Sequence, residues 1–362
     1  MTRWWIVALA GAAATALPAC GDDSANGDVP GEGADPGADA DAGPDVEAEV
    51  EPEADGDGES SVEAEAEGDG AEWEVGPAIG TCATFSYELH EGHNEGFRVD
   101  DSDRAFEIRV PDAIGTATGP WPVVFVWHGV GNPVSQVMDL VAGEVNDVEH
   151  PFIAVGPEAI PLGLSTTPIG FDWDMLMWRD EANADVDLFD DVVACLDEAF
   201  DVDENRIYSM GFSAGALMTN LLSVARSEVL ASIASFSGAY FSDPVQQMCF
   251  GSTCTTWPAF QGTAPFPALL VRGGPEDTYD AIPGLMVIDF DGDTIHSVEY
   301  LTTRGHPVLE CAHDLGHELP PDLAGPQFLE YLFDHPKGTT PDPYATALPA
   351  DFPSYCTFHP GE

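Results

Sequence analysis

Between Thr81 and about His335 the chain alternates compact apolar runs with longer stretches whose apolar residues recur at helical spacing. The runs are Phe106 to Val110, Pro122 to Trp127, Phe152 to Val155, Arg206 to Met210, Ser232 to Phe236, Ala268 to Val271 and Pro307 to Glu310. Each has the length and character of a buried strand. Between them, Asp185 to Phe200 places Val186, Phe189, Val192, Val193, Leu196 and Phe200 on one helical face, and Ala214 to Arg226 reads as a second helix. A helix between two strands carries the chain back along the sheet, so successive strands lie parallel and the helices cover both faces. The expected class is therefore α/β, with a mostly parallel central sheet. No internal repeat is present.

One strand-to-helix junction carries a chemical signature. Ile207-Tyr208-Ser209-Met210 runs into Gly211-Phe212-Ser213-Ala214-Gly215, and Ala214 opens the following helix. A serine on so sharp a turn needs small neighbours, because the backbone bends tightly and packs closely; this strand, turn and helix is the context of a nucleophile elbow. A bare match would be weak evidence, and its placement is what makes it informative.

A serine hydroxyl needs a base, and the base needs an orienting acid. On an elbow of this kind the acid and then the base follow the serine along the chain, each on a loop after a later strand. Ala268 to Arg272 leads into Gly273-Gly274-Pro275-Glu276-Asp277, where Asp277 is favoured over Glu276 on the same loop and over Asp280. Pro307 to Glu310 leads into Cys311-Ala312-His313-Asp314-Leu315-Gly316-His317; His317 is favoured as base, with His313 read as a structural hydrogen bonder. The oxyanion of a tetrahedral intermediate needs preset N–H donors. Ala214, the residue after the serine, and Val130, on the His128-Gly129-Val130-Gly131-Asn132 loop, are the expected pair, with His128 fixing the loop.

The chain ends read differently. Arg3 and the apolar run Trp4 to Leu17 resemble a signal peptide too short for a comfortable bilayer span, and residues 1–20 end lipobox-like in Leu17-Pro18-Ala19-Cys20, with Cys20 as lipid anchor. Residues 21–76 hold 21 Asp or Glu and no Lys or Arg among Gly, Ala and Pro, a composition that reads as a disordered, extended acidic linker. Residues 77–362 form the expected catalytic domain, its tail irregular from about Lys337 and held by Cys356. The six cysteines beyond Cys20 suit disulfides in an exported chain. Cys249 and Cys254 are the easiest local pair; joining Cys311 or Cys82 to Cys356 would tie down a chain end. A formal net charge of −55 argues against nucleic acid and anionic lipid surfaces as partners, leaving a lipid anchor as the expected membrane contact.

The pieces Trp127-His128-Gly129, Asp185-Val186-Asp187, Val202 to Tyr208, Gly211 to Gly215 with Met218, Gly274-Pro275-Glu276-Asp277, Gly305-His306, Cys311-Ala312-His313 and Gly316-His317 occur in one order over residues 80 to 335. As a set they resemble the polyhydroxybutyrate depolymerase and feruloyl esterase group of α/β-hydrolases, which includes acetyl xylan esterases. The resemblance implies an α/β-hydrolase fold and an extracellular esterase acting on polymer or plant-wall esters, with Ser213, Asp277 and His317 as triad and no cofactor. The chain departs from the group where Val271-Arg272-Gly273-Gly274 replaces a strand ending in His-Gly. Alternatives are a serine peptidase and a non-catalytic, polymer-binding surface lipoprotein on the same scaffold. A monomer is expected.

Other signals are weaker. His306, Cys311, His313 and His317 lack regular metal-ligand spacing, and Asp289 to Asp293 mimics a calcium loop with its glycine misplaced, so no metal is expected and the latter reads as a solvated turn. Trp173 and Trp178 could line a substrate cleft, since aromatics stack on sugar and aryl rings, although such residues more often lie in cores. Residues 240–267 read equally as a cap or as a surface excursion.

Overall fold

The computed structural model describes residues 82, 88–99, 102–160, 172–174, 183–243, 246, 249–250, 253–254, 257–258, 260, 265–282 and 286–362. The expectations for Cys20, the 21–76 linker and Trp178 lie outside these residues.

The elements, in chain order, are β1 (Gly92–Val99), β2 (Ser102–Arg109), β3 (Trp121–Trp127), α1 (Ser135–Val141), β4 (Ile153–Pro157), α2 (Ala184–Phe200), β5 (Val202–Phe212), α3 (Ala214–Ala225), β6 (Ser232–Phe236), β7 (Cys249–Phe250), β8 (Thr253–Cys254), β9 (Ala268–Arg272), β10 (Thr278–Ile282), β11 (Met286–Asp289), α4 (Phe290–Thr302), β12 (Val308–Ala312), α5 (Pro326–Asp334) and β13 (Cys356–His359). Nine strands form one sheet in the order β1-β2-β4-β3-β5-β6-β9-β12-β13. From β4 to β12 all neighbours are parallel. The antiparallel pairs are confined to the two flanks.

Side-chain alternation divides the strands between two cores. Val123, Phe125 and Trp127 of β3 join Ile207, Leu270, α2, α3 and α4 on one face. Val124 and Val126 join Met210, Leu269, α1 and α5 on the other. Both faces of the central strands are thus buried, which is why they read as unbroken apolar runs. The chain has the α/β-hydrolase architecture: a mostly parallel sheet covered by helices on both sides.

Several elements depart from the sequence reading. Asp289 to Asp293 is not a solvated turn. Asp289 caps α4 by accepting the Gly292 N–H at 3.1 Å, and Asp291 places a carboxylate in the first turn, where it suits the positive helix end. Beyond Lys337 the tail is irregular as expected, until Cys356–His359 adds a final strand to β12. Cys311 and Cys356 are partners across that pair and form a disulfide; a second joins Cys82 to Cys195 of α2. Cys249 and Cys254 stand opposite one another in the β7–β8 pair, and their side chains lie outside the described residues.

Candidate active site

The carboxyl ends of β5, β9 and β12 deliver the three side chains singled out above. Ser213 ends β5 and starts α3 with φ 58° and ψ −120°, a conformation costly for any side chain. Hydrogen bonds hold it there: its N–H donates to the Phe236 carbonyl at 2.9 Å, and its own carbonyl accepts from Ala216 and Leu217. Close packing excludes larger neighbours. A Cβ on Gly211 would fall 2.0 Å from the Gly215 carbonyl oxygen, and one on Gly215 would fall 2.0 Å from that of Trp127.

His317 Nε2 lies 2.9 Å from Ser213 Oγ, and its Nδ1 lies 2.7 Å from Asp277 Oδ1. The imidazole packs against Phe212 and nearly parallel to Phe290, with ring centroids 4.9 Å away in both cases. Asp277 is fully buried, and its Oδ2 accepts from the Gly273 N–H at 2.8 Å and the Ser237 hydroxyl at 2.9 Å. Glu276 and Asp280, its rivals from sequence, are exposed. The loops carrying acid and base touch through glycine: Gly316 N–H donates to the Gly273 carbonyl, and a Cβ on Gly273 would sit 1.9 Å from the Gly316 oxygen.

His313, four residues before His317, does different work. Its Nδ1 accepts from the Leu315 N–H at 3.1 Å, and its N–H ties back to the Arg272 carbonyl at 3.0 Å. Burial pushes its pKa down, which favours the neutral ring this bond requires.

The loop after β3 lies directly against the serine, since a Cβ on Gly129 would approach Ser213 Cβ to 3.4 Å. Three of the N–H groups of residues 129–132 are engaged: Gly129 with Gln136 Oε1, Gly131 with Asp172 Oδ2 at 2.6 Å, and Asn132 with the Gly129 carbonyl. Among the described residues the Val130 N–H has no acceptor. The same holds for the Ala214 N–H in the first turn of α3, where backbone donors point outward. His128 is buried, its Nδ1 2.9 Å from the Gly129 carbonyl, and burial lowers its pKa.

Trp173 corrects the sequence reading. It is fully buried, donates its indole N–H to the His128 carbonyl at 3.0 Å and packs edge-on against Trp127. An indole closed in on all sides braces the loop and meets no substrate. Sequence reasoning also missed Ser237, Gln136, Asp172 and Phe290. Ser237 had one faint signal, a small polar residue before glycine at the end of an apolar run; the others had none. Among the described residues no three His, Cys, Asp or Glu side chains converge as a metal site.

No family model matches the chain. Two curated proteins are similar to it. Feruloyl esterase D of Neurospora crassa is 26% identical over 156 residues, 42% of this chain and 52% of that protein, so the match spans about half of that relative's length. Oxidized polyvinyl alcohol hydrolase of Sphingopyxis sp. is 26% identical over 306 residues, 72% of this chain and 83% of that protein. Among solved structures, native sOPH aligns with a TM-score of 0.61 at 20% identity, covering 79% of this chain and 98% of its own. Native pOPH aligns with a TM-score of 0.56 at 20% identity, covering 76% and 95%. These structures share the fold.

Proposed function

We propose that this α/β-hydrolase is an extracytoplasmic serine esterase that cuts carboxylic ester bonds of plant-wall polysaccharide or polyester through an acyl-enzyme. The observation that carries the reading is the continuous hydrogen-bond relay from Ser213 Oγ through His317 to buried Asp277. Ser213 Oγ attacks the ester carbonyl while His317 Nε2 takes its proton. Asp277 Oδ1 accepts the Nδ1–H and offsets the charge of the imidazolium. The N–H groups of Val130 and Ala214 hydrogen-bond the oxyanion. His317 then protonates the leaving alcohol oxygen, the tetrahedral centre collapses, and the acyl group stays on Ser213. Water, deprotonated by the same ring, repeats the sequence and releases the acid.

The similarity to Feruloyl esterase D supports feruloyl esters as substrates. A second reading, hydrolysis within an oxidised synthetic polymer, is favoured by the longer match to oxidized polyvinyl alcohol hydrolase. Export is supported by the two disulfides, which persist in oxidising compartments, and lipidation at Cys20 would hold the domain at the cell envelope.

The test is hydrolysis of p-nitrophenyl acetate, methyl ferulate and oxidised polyvinyl alcohol, beside a Ser213→Ala control and a fluorophosphonate probe. Turnover and labelling that vanish in the control support the esterase, and the substrate ratio chooses between the readings. A folded chain that neither turns over nor labels would point instead to a non-catalytic polymer-binding protein.

A further inference from the structure

Three non-glycine residues among those described have positive φ: Asp201, Ser213 and Ser237. Asp201 follows α2, where a left-handed residue ends a helix. Ser213 is the elbow. Ser237, one residue past β6 with φ 59°, has neither role. Glycine adopts this conformation freely, whereas serine does so against the steric preference of its Cβ. A side chain kept in such a place points to a use for it.

Its surroundings supply that use. Ser237 is 1% exposed, and its hydroxyl donates to Asp277 Oδ2 at 2.9 Å. Its N–H donates to the Val271 carbonyl at 2.8 Å, joining the end of β6 to β9 just ahead of the acid's loop. Oδ2 is the oxygen that His317 does not use; the Gly273 N–H is the other donor found there. Two donors from separate strands fix the carboxylate plane so that Oδ1 faces Nδ1. One donor alone would leave it free to rock about its Cβ–Cγ bond.

We propose that Ser237 is a positioning residue of the proposed triad, acting on the serine and histidine through Asp277. The inference rests on the esterase reading. It predicts that activity follows the hydroxyl while stability follows the backbone. Ser237→Gly relieves the strained φ but removes the hydroxyl; Ser237→Ala removes the hydroxyl only. Ser237→Thr keeps the hydroxyl on a branched side chain that tolerates this φ less well.

The test is the second-order rate of fluorophosphonate labelling at Ser213, with kcat and KM on p-nitrophenyl acetate and a thermal melt, all on the full chain. Labelling and kcat should fall about 10- to 100-fold in both the Gly and Ala variants, the worth of one hydrogen bond to a charged group, with KM unchanged. The Gly variant should melt no lower than the parent, and the Thr variant lower, with labelling near the parental rate. Parental labelling rates in folded Ala and Gly variants would overturn this inference alone. A parent chain that fails to label would overturn the esterase reading and this inference with it.

Discussion

The carboxyl ends of β5, β6, β9 and β12 and the flanks of the same sheet are built on opposite terms. At the carboxyl ends two serines hold left-handed backbone, glycines touch neighbouring carbonyls, and a carboxylate is fully buried. Each feature costs folding free energy. The flanks carry cross-links and ion pairs. At one, Arg104 of β2 and Asp185 of α2 form a buried pair, and Cys82 is bonded to Cys195. At the other, Cys311 is bonded to Cys356 and His359 of β13 meets Glu310 of β12. Geometry for chemistry is thus concentrated where loops leave the strands, while cross-links and ion pairs gather at the flanks. Changes at the rim should therefore be read out in activity, and changes at the flanks in stability.

The sharpest test of that division is Asp277→Asn. The amide keeps its shape but no longer favours the imidazolium or the right tautomer, so kcat should fall about 10⁴-fold on p-nitrophenyl acetate with little change in melting temperature. A large loss of stability instead would show that the buried acid serves the fold.

Gly215→Ala marks the limit of the division, because this rim glycine makes room for the chain and carries no chemistry. Its Cβ would lie 2.0 Å from the Trp127 carbonyl oxygen, which has no room to move within β3. We expect a loss of more than about 4 kcal/mol in denaturant unfolding, an exceptional cost for one methyl group.

At the flank, replacing Cys311 and Cys356 together by serine opens a link between residues 45 apart. The loop-entropy relation puts the loss at about 4 kcal/mol, with kcat retained by the protein that remains folded. A drop in kcat without a drop in stability would make the β12–β13 flank part of the site.

The smallest effect concerns Asp293, near the start of α4. Burial, with Asp289 nearby, raises its pKa to about 7. An unfolded aspartate ionises near pH 3.9, so the unfolded chain gives up this proton first. Stability therefore falls as pH rises from about 4 to about 7 and stays reduced above that window. Asp293→Asn should raise the melting temperature by a few degrees at pH 8 and hardly at all at pH 4; an equal rise at both would rule out titration as the cause.

The central sheet and the chain order of Ser213, Asp277 and His317 could be read from sequence because they depend on local regularities. Strands buried on both faces must be continuously apolar, helices packed on them must repeat every three to four residues, and an elbow must have glycines around its serine. β1, β13 and the β10–β11 hairpin were not legible. They are polar or short, and they hold their places by pairing with neighbours distant in sequence. The same limit applied to single residues. Nothing local distinguishes Trp173 as a buried brace from an exposed platform, because burial belongs to what surrounds it. Nothing local tied Ser237 to Asp277 or Asp172 to Gly131, residues 40 and 41 positions apart. Local sequence was enough for the central strands, the helices α2 and α3 and the order in which the reactive groups appear, since backbone propensity and hydrophobic period act over a few residues. Which cysteines pair and which hydroxyl meets the acid were left to the tertiary structure, since hydrogen bonds and disulfides form only between groups that packing has already brought within a few ångströms.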